Sequence, residues 1–475
     1  MDIPAKTETR HYQVLTEIPA TIFRAYDIRG IMDETLSADN VYTIGLALGA
    51  EALSRGETHI AVARDGRLSS PTLASALRYG LTHAGMNVID LNEIPTPLLY
   101  WFIHTSDTYQ SGVMVTGSHN PGHYNGLKMV LGRKTLSGDD VSALRERILD
   151  GNLTKHNTLP DYQTIDVTAG YIEAVQKSVK IARTLKIVID CGNGVPGMIA
   201  PQLFRALGCE VLELFCDVDG TFPNHHPDPS RAENLLDLKK AVHEQNADVG
   251  LAFDGDGDRL GVVTPQGKMI WPDRQLMLFA QDIVERNPRA QIIYDVKCSK
   301  NLGEVIRAAG GVPIMWKTGH SYIKNKMLET GALLAGEMSG HIFFKERWYG
   351  FDDAMYAGAR LLEILSRDTR GLDVIFAELP DSIATPELLL TIGDERKFIF
   401  MDELIKTARF ANAEICTIDG IRADYADGWG LVRASNTTPA LVFRFEADDA
   451  KAMQRIQHEF AEWIHRLGPE LTLPF

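Results

Sequence analysis

The chain has 475 residues, of which 45% are hydrophobic and 23% are charged, and its formal net charge is −15. This composition is typical of a globular protein and excludes disordered, collagen-like and coiled-coil classes. At roughly 100–200 residues per domain, the length suggests about three or four domains. The acidic balance argues against non-specific binding to nucleic acid or to anionic membranes, so an anionic substrate would need a locally basic site.

The cysteines and the apolar runs indicate where the protein works. There are five cysteines and no Cys-x-x-Cys, which is neither a disulfide framework nor a zinc knuckle and fits a reducing compartment. The polar first residues lack the apolar stretch of a signal peptide. No run approaches the length of a membrane span, and residues 41–53 predict an ordinary helix. We therefore expect a cytoplasmic protein with no membrane partner.

An internal repeat occupies most of the chain. Three short apolar runs, each ending at an aspartate, predict buried parallel strands. Each run is followed by a helical pattern that stops at a glycine, where a left-handed cap costs little, and then by a second apolar run. The aspartate and glycine of each repeat are Asp65 and Gly85, Asp190 and Gly208, and Asp295 and Gly310. This β-α-β pattern predicts three α/β domains in tandem.

The last hundred residues have a different pattern. Asp427-Gly428 is a hairpin signal between two apolar runs. Strands without β-α-β alternation, together with two helices, predict a small α+β domain. We expect strands at residues 388–392, 421–425, 430–433 and 441–445, and helices at 398–410 and 450–467. The domains are then expected at residues 1–162, 163–268, 269–380 and 381–475.

The clearest chemical signal is an acidic loop, Asp254-Gly-Asp256-Gly-Asp258-Arg259, directly after an apolar run. Carboxylates at alternate positions can converge, and their mutual repulsion requires a hard cation such as Mg²⁺ or Ca²⁺. An EF-hand is excluded because the sixth position is Arg259 and the twelfth is Pro265. The alternative is an acidic surface turn. With a cation bound, the loop leaves room for a phosphate oxygen beside Arg259.

A second candidate is the loop Thr116-Gly-Ser118-His119-Asn120-Pro121, which also follows an apolar run. Ser118 can be presented to a ligand there, with His119 and Lys128 as proton-transfer or charge groups. The segment is neither a nucleophile elbow nor a Walker loop. Taken alone, it is equally compatible with an ordinary strand-to-helix turn.

Three further segments are polar or glycine-rich. The segment 192–197 matches Gly-x-Gly-x-x-Gly and is followed by Glu213, so it is either a dinucleotide fingerprint or, as we prefer, a tight turn. Residues 336–341, which contain Glu337, Ser339 and His341, suit sugar hydroxyls. Residues 433–439, which begin with Arg433, suit an anion, or form a capped loop.

Together these motifs resemble the α-D-phosphohexomutase family over nearly the whole chain and in the family's order. The resemblance is carried by residues 23–30 (Phe-Arg-Ala-Tyr-Asp-Ile-Arg-Gly), 116–121, 254–259, 336–341 and 433–439. The most similar branch is the bacterial bifunctional phosphomannomutase/phosphoglucomutase. The resemblance implies three α/β domains with mixed sheets and a fourth, α+β domain, all around a central cleft.

The resemblance also implies a reaction and a set of sites. Hexose 1-phosphates and 6-phosphates of mannose and glucose would interconvert through a phosphoserine enzyme and a hexose 1,6-bisphosphate, which also acts as activator. It implies catalytic roles for Ser118, His119, Lys128, Arg29, Arg259 and His341, and Mg²⁺ binding by Ser118, Asp254, Asp256 and Asp258. It implies substrate binding by Tyr26, Lys297, His320, Glu337, Ser339, Arg433, Ser435, Asn436 and Thr437.

The expected partners are small phosphosugars, with no nucleic acid, and we expect a monomer. Three alternatives stay open. A phosphoglucosamine mutase of the same family is one. A nicotinamide-dependent oxidoreductase is the second, and it depends on residues 192–197 and Glu213. The third is a non-catalytic module that binds a sugar phosphate or Ca²⁺.

Overall fold

The structure is a computed structural model that describes residues 11–156, 163–436 and 438–475. The chain divides into two compact units. The first comprises the described residues up to Thr168 together with Asp219–Pro223, and the second comprises Ala169–Val218 and the described part of 224–475. None of the helices in these described ranges is long and apolar enough to cross a membrane.

The first unit is built on one mixed sheet with helices packed on it. The sheet has the order β1-β5-β4-β2-β3-β7, with β6 paired to β5. Strands β4, β2, β3 and β7 run parallel, whereas β1 and β4 each pair antiparallel with β5. The strands are β1 (Ile28–Ile31), β2 (His59–Arg64), β3 (Asn87–Glu93), β4 (Gly112–Val115), β5 (Tyr124–Leu131), β6 (Lys134–Thr135) and β7 (Gln163–Thr164). The helices are α1 (Ala38–Ser54), α2 (Ser70–Ala84), α3 (Thr96–Thr105) and α4 (Asp139–Leu149), after a 3-10 turn at Ala20–Ile22.

The second unit begins with a five-stranded mixed sheet of order β12-β11-β10-β8-β9. Strands β9, β8 and β10 are parallel, and β11 and β12 continue antiparallel. The strands are β8 (Lys186–Asp190), β9 (Glu210–Leu214), β10 (Val249–Phe253), β11 (Leu260–Val263) and β12 (Met269–Ile270). The helices are α5 (Thr168–Ser178), α6 (Ala200–Ala206) and α7 (Leu236–Glu244), with 3-10 turns at Val195–Met198 and Ala232–Leu235.

A four-stranded mixed sheet follows in the same unit, with the order β14-β13-β15-β16. Strands β14, β13 and β15 are parallel and β16 is antiparallel to β15. The strands are β13 (Gln291–Asp295), β14 (Val312–Trp316), β15 (Leu334–Gly336) and β16 (Ile342–Phe344). The helices are α8 (Pro272–Arg286), α9 (Lys300–Ala308), α10 (His320–Thr330), α11 (Ala354–Arg367) and α12 (Leu372–Ala377).

The last sheet is antiparallel, with the order β17-β22-β21-β20-β19 and β18 on β22. A separate apolar core, which contains Phe443, Phe445 and Phe460, lies between this sheet and its two helices. The strands are β17 (Ile383–Ala384), β18 (Leu388–Thr391), β19 (Glu414–Cys416), β20 (Ile421–Tyr425), β21 (Gly428–Ala434) and β22 (Ala440–Ala447). The helices are α13 (Asp394–Thr407) and α14 (Ala450–His465).

The predicted fold class is confirmed. The three β-α-β repeats are β2-α2-β3, β8-α6-β9 and β13-α9-β14, and the strands of each pair are parallel. Each helix stops at the predicted glycine in a left-handed conformation, with φ of +103°, +92° and +92° at Gly85, Gly208 and Gly310. The sheet of the first unit includes β7 and so extends two residues past the predicted domain end at residue 162. The five-stranded sheet includes β12 and so extends two residues past the predicted domain end at residue 268.

The turn of the predicted C-terminal hairpin lies one residue earlier than expected. Tyr425 pairs with Gly428, so Ala426 and Asp427 form the turn and Gly428 begins β21. Asp427-Gly428 is therefore not a left-handed turn pair. Glycine is needed at 428 for close approach instead, because a Cβ there would lie 2.4 Å from the carbonyl oxygen of Glu446 on β22.

Candidate active site

Ser118 lies in a buried turn that follows strand β4 of the first unit. Its backbone is left-handed, with φ of +51°, and the residue is only 2% exposed. The Ser118 N–H donates to Thr116 Oγ1 at 2.8 Å. The neighbouring Gly117 has no room for a side chain, since a Cβ would lie 2.5 Å from Cζ of Arg67 and 2.7 Å from the Tyr124 carbonyl. The backbone can follow this course only with glycine at position 117.

Two residues that the sequence analysis did not place in the site hold this turn. Asp65 Oδ2 accepts hydrogen bonds from Thr116 Oγ1 at 2.8 Å and from the Gly117 N–H at 3.1 Å. Arg67 donates to the carbonyls of Ser118 and Asn120 at 2.7 and 2.6 Å, and its Nε donates to Asp65 at 3.0 Å. The available signal was the Asp-x-Arg at the end of the first repeat's strand.

The other predicted catalytic residues of the first unit lie around the same turn. His119 Nδ1 is 3.2 Å from Ser118 Oγ, and Arg29 donates to the Asn120 side chain at 3.1 Å. Lys128 is buried on β5 and pairs with Met114 on β4, four residues before Ser118. Tyr26 is half-buried in the loop before β1. The structure thus brings Ser118, His119 and Arg29 together, while a substrate role for Tyr26 stays a prediction.

The acidic loop of the second unit joins β10 to β11, as the sequence indicates. Asp254, Asp256 and Asp258 have no exposed surface, and one carboxylate oxygen from each lies within 4.8 Å of the others. Asp254 Oδ1 accepts the N–H groups of residues 257, 258 and 259 at 3.0–3.1 Å, which folds the loop back on itself. Because the three carboxylates are buried, the loop is not an acidic surface turn. Three buried carboxylates this close repel one another unless a cation binds between them, and the all-oxygen donor set fits a hard divalent ion. The site can therefore hold a metal.

His341 connects the acidic loop to the sugar-recognition segment. Its Nε2 lies 3.3 Å from Asp258 Oδ1, and its Nδ1 lies 3.0 Å from Glu337 Oε2 and 2.9 Å from Ser339 Oγ. Arg259 pairs with His341 as an isolated bridge between the two loops. The four predicted residues of these segments, Arg259, Glu337, Ser339 and His341, thus form one network with Asp258.

The electrostatics of this network favour an ionised pair. Burial alone would lower the pKa of His341, but charge attraction to Asp258 and hydrogen bonds to Asp258 and Glu337 together outweigh burial and raise that pKa to about 9. Burial alone would raise the pKa of Glu337, yet the hydrogen bond and charge attraction of His341, the Gly319 N–H and the charge of Lys297 together hold it below the usual value. Glu337 is also fixed by the Gly319 N–H, which donates to its Oε1 at 2.5 Å. The carboxylate is therefore oriented by residues from two loops.

Two further residues that sequence reasoning missed position His320. The His320 ring stacks on the His341 ring, with centroids 5.6 Å apart. Lys324, one helical turn along α10, lies 3.1 Å from His320 Nδ1 and donates to Asp352 Oδ1 at 2.7 Å. Asp352, His341 and Asp258 form a second group of possible metal ligands that shares Asp258 with the first. The i, i+4 spacing of His320 and Lys324 was the readable signal.

Lys297 follows strand β13 and is buried, as a ligand-binding lysine would be. Its Nζ donates to Glu387 Oε1 at 2.7 Å and lies 3.9 Å from Asp295 Oδ2. Burial by itself would lower the pKa of Lys297, but the carboxylates of Glu387 and Asp295 together raise it above the usual value. The ammonium therefore stays charged, which suits an anionic ligand.

The predicted phosphate loop follows β21. Arg433 is 4% exposed, and its Nε donates to Asp419 Oδ2 at 3.0 Å. Asp419 also accepts the Thr318 N–H, and the Asn436 side chain donates to the Thr318 carbonyl at 3.4 Å. Ser435 Oγ accepts from Thr438 at 2.8 Å. Thr437, also predicted to bind phosphate, lies outside the described residues, so its role stays a prediction.

The glycines of the segment 192–197 serve packing within the protein. A Cβ on Gly194 would lie 2.8 Å from the backbone of Gly255, between two of the clustered aspartates. A Cβ on Gly197 would lie 2.0 Å from the Cys216 carbonyl. Glu213, the acidic residue of the alternative dinucleotide fingerprint, pairs with Arg205. The preferred interpretation as a tight turn therefore explains the glycines without a dinucleotide.

The chain matches known families over nearly its whole length. Models of phosphoglucomutase/phosphomannomutase domains match in order: α/β/α domain I at residues 20–153, domain II at 169–267, domain III at 271–383, and the C-terminal domain at 391–463. The chain is 53% identical to a phosphomannomutase/phosphoglucomutase from Pseudomonas aeruginosa, covering 96% of this chain and 98% of that protein. It is 51% identical to a phosphoglucomutase from Neisseria meningitidis, covering 97% and 100%.

A solved structure agrees with these matches. The crystal structure of a phosphoglucomutase/phosphomannomutase family protein from Burkholderia thailandensis has a TM-score of 0.91 and 50% identity to this chain, covering 97% of this chain and 100% of that one. These likenesses extend over all four domains and include the segments that carry the acidic loop and the Ser118 turn. The chain belongs to the phosphoglucomutase/phosphomannomutase family.

Proposed function

We propose that this protein reversibly interconverts the 1-phosphates and 6-phosphates of mannose and glucose, through a phosphorylated Ser118 and a hexose 1,6-bisphosphate. The observation that carries the proposal is the buried network of the second unit. There, three clustered carboxylates are linked by direct contact through His341 to Glu337, the residue assigned to the sugar. This combination suits phosphoryl transfer to a polyhydroxy substrate, because that chemistry depends mainly on positioning and electrostatic stabilisation.

Asp254, Asp256 and Asp258 are assigned as the ligands of Mg²⁺. Their carboxylates are the hard oxygen donors that this ion prefers. When bound, the ion offsets the charge of roughly −1.5 to −2 that a phosphoserine carries and stabilises charge on the transferred group. Ser118 is also predicted as a ligand. Ser118 belongs to the first unit and the three aspartates to the second, so its role as a ligand is proposed from the family resemblance.

The reaction proceeds in two transfers. Phosphoserine 118 first donates its phosphoryl group to the free hydroxyl of a hexose monophosphate: the bond from Ser118 Oγ to phosphorus breaks, and the sugar hydroxyl loses its proton. In this first transfer the sugar oxygen bonds to the phosphorus, His341 takes the proton of the sugar hydroxyl, and Ser118 Oγ takes a proton from His119. The resulting bisphosphate reorients, and Ser118 Oγ gives its proton back to His119 as it attacks the other phosphate. The bond from that phosphorus to the sugar oxygen breaks, and the sugar oxygen takes the proton from His341. Arg259 offsets the charge on the equatorial oxygens during each transfer.

Proton transfer and charge support fall to the remaining catalytic residues. His119 is assigned the proton of Ser118, because its Nδ1 is 3.2 Å from the hydroxyl. Lys128 and Arg29 support the charge of the phosphoserine. His341 is assigned to the sugar hydroxyl, since it already contacts Glu337 and Ser339. The roles of His119, Arg29 and His341 rest on contacts within each unit, whereas that of Lys128 rests on its place on β5 beside β4.

Substrate recognition explains how two hexoses share one site. Glu337 and Ser339 are assigned to bind the 3- and 4-hydroxyls, where glucose and mannose have the same configuration. These two residues therefore do not distinguish the sugars, which differ in configuration at C2. Tyr26, Lys297 and His320 complete the sugar site. Arg433, Ser435, Asn436 and Thr437 are assigned the non-reacting phosphate, which they can hold in both orientations because they contact phosphate and not the ring.

The first experiment is the intact mass of the purified protein, before and after incubation with glucose 1,6-bisphosphate and Mg²⁺. We expect one added phosphoryl group, about 80 Da, on the wild type and on the Ser111→Ala control, and none on Ser118→Ala. Ser111 is a matched control because it is another buried serine of the first unit. Phosphate on Ser118→Ala, or none on the wild type, would contradict the assignment.

A second assay separates the substrate classes. We expect kcat/KM for mannose 6-phosphate and glucose 6-phosphate to exceed that for glucosamine 6-phosphate, and the reverse order would favour a phosphoglucosamine mutase. Chelation should abolish turnover and added Mg²⁺ should restore it. A monomeric state and a cytoplasmic location are part of this proposal, and sedimentation at micromolar concentration checks the first.

A further inference from the structure

Among the described residues of the first unit, the most completely enclosed cation is Arg67, to which the proposed reaction assigns no role. It is 1% exposed, and its two terminal nitrogens donate to four carbonyl oxygens. These belong to Ser118, Asn120, Pro121 and Tyr124, at 2.7, 2.6, 2.6 and 3.1 Å. One guanidinium therefore binds four backbone carbonyls of the Ser118 turn, including that of Ser118 itself.

The guanidinium is itself held on its other sides. Its Nε donates to the buried Asp65 carboxylate at 3.0 Å, and the Phe222 ring centroid lies 5.2 Å from its Cζ. Phe222 belongs to Asp219–Pro223, the stretch of chain that returns to the first unit after β9. This stretch fits closely, because a Cβ on Gly220 would lie 2.6 Å from the Gly66 carbonyl and 2.8 Å from Arg67 Cα.

From this enclosure we infer that Arg67, held by Phe222, is a positioning residue that sets the direction of the Ser118 hydroxyl for phosphoryl transfer. The inference rests on the proposed function of Ser118. Asp65 neutralises the charge of Arg67 at close range, so the contribution is geometric: the planar fork fixes four carbonyls at once, which a lysine ammonium cannot do. Ser118 needs such support because its left-handed backbone is costly for a residue with a side chain.

The test compares Arg67→Lys with the wild type, and Arg133→Lys is the matched control. Arg133 is also in the first unit and also donates to backbone carbonyls, those of Ile103 in the last turn of α3 and of Ser106 just after it, at 3.1 and 3.0 Å. Two rates are measured well below the melting temperature: kcat with glucose 1-phosphate, and the single-turnover phosphorylation of Ser118 by glucose 1,6-bisphosphate, followed by mass.

We expect both rates to fall about 100-fold in Arg67→Lys, because a displacement near 1 Å costs that much, while KM changes less than about threefold. Arg133→Lys should match the wild type in both rates. A purely stabilising role would lower the melting temperature and leave the kcat of the folded protein unchanged. A kcat within threefold of the wild type in folded Arg67→Lys overturns the inference.

If Arg67→Lys does not fold, Phe222→Ala decides. We expect a fall of at least threefold in the phosphorylation rate, whereas Phe398→Ala, at a ring 54% exposed in the last domain, should have no effect. An unchanged rate in folded Phe222→Ala overturns the inference. Absence of Ser118 phosphorylation in the wild type would refute the proposed function and this inference with it, whereas normal transfer in the variants refutes the inference alone.

Discussion

Replacing Asp65 by asparagine should destabilise the first unit strongly, although only one atom changes. Asp65 accepts five hydrogen bonds: Oδ1 takes the Arg67 N–H and Ser70 Oγ–H, and Oδ2 takes Thr116 Oγ1–H, the Gly117 N–H and Arg67 Nε–H. The asparagine NH₂ group would face two or three of these donors. A buried ion pair that loses one partner costs about 3–5 kcal/mol, and we expect a loss of that size.

Calorimetry should show this loss as a downward shift on the order of 10 °C in the transition of the first unit. Hydrogen exchange of peptides from β4 and β5 identifies that transition, because a protein of several domains need not unfold in one step. The control is Asp140→Asn, which removes a partly exposed pair with Arg55 and should cost at most about 1 kcal/mol. A shift in Asp65→Asn no larger than in this control would refute the reasoning.

Three further predictions concern the second unit. Asp256→Asn should weaken Mg²⁺ binding at least about tenfold by calorimetric titration, since it removes one of three clustered carboxylates, and unchanged affinity would contradict the metal assignment. Burial raises the pKa of Asp353 from 3.8 to about 7, so its contribution to stability is complete below pH 4 and is lost as pH rises through 7. At 1.36 kcal/mol per pKa unit, the contribution of Asp353 to the free energy of unfolding is about 4 kcal/mol. The melting temperature of Asp353→Asn should therefore depend less on pH between 4 and 7 than that of the wild type. Parallel pH profiles of the two proteins would contradict this prediction. Gly194→Ala should cost about 1–3 kcal/mol and weaken Mg²⁺ binding, because its Cβ would lie 2.8 Å from Gly255, and normal binding would show that the turn does not support the acidic loop.

The repeated architecture could be predicted from the sequence because its signals are local. An apolar run ending at an aspartate, followed by a helix that stops at Gly85, Gly208 or Gly310, uses residue types whose backbone preferences hold in any context. The hairpin near Gly428 shows the limit of such signals. There the close approach of Glu446 on a neighbouring strand, 18 residues away in sequence, requires the glycine, and no local rule contains that contact.

Some residues of the candidate site could likewise be predicted from the sequence, and others could not. The carboxylates of the acidic loop are adjacent in sequence, so their convergence was predictable, and the family resemblance supplied Glu337 and His341. Arg67 was missed because its significance lies in four carbonyls more than 50 residues away. Asp352 was missed for the same reason, since it acts through Lys324 on another element. The Asp-x-Arg at residues 65–67 and the i, i+4 spacing of His320 and Lys324 are visible in the sequence, but a local pattern does not show which distant groups such residues bind.

The three aspartates at the ends of the repeated strands, the last residue of β8 and of β13 and the residue directly after β2, show why this fold suits phosphoryl transfer. Asp65 accepts from Thr116 and Gly117 and so shapes the Ser118 turn. Asp190 accepts from Gly192 and His225, beneath the turn that packs on the acidic loop. Asp295 accepts from Thr318 Oγ1 and the Met338 N–H, which joins the loops that carry His320 and Glu337. In each domain a buried carboxylate at the end of a parallel strand binds donors from loops at that edge of the sheet. Because donors of the protein itself fill these acceptors, the loops have their shape before a ligand arrives, and preorganisation of this kind is the main requirement of a reaction that depends on position and electrostatics.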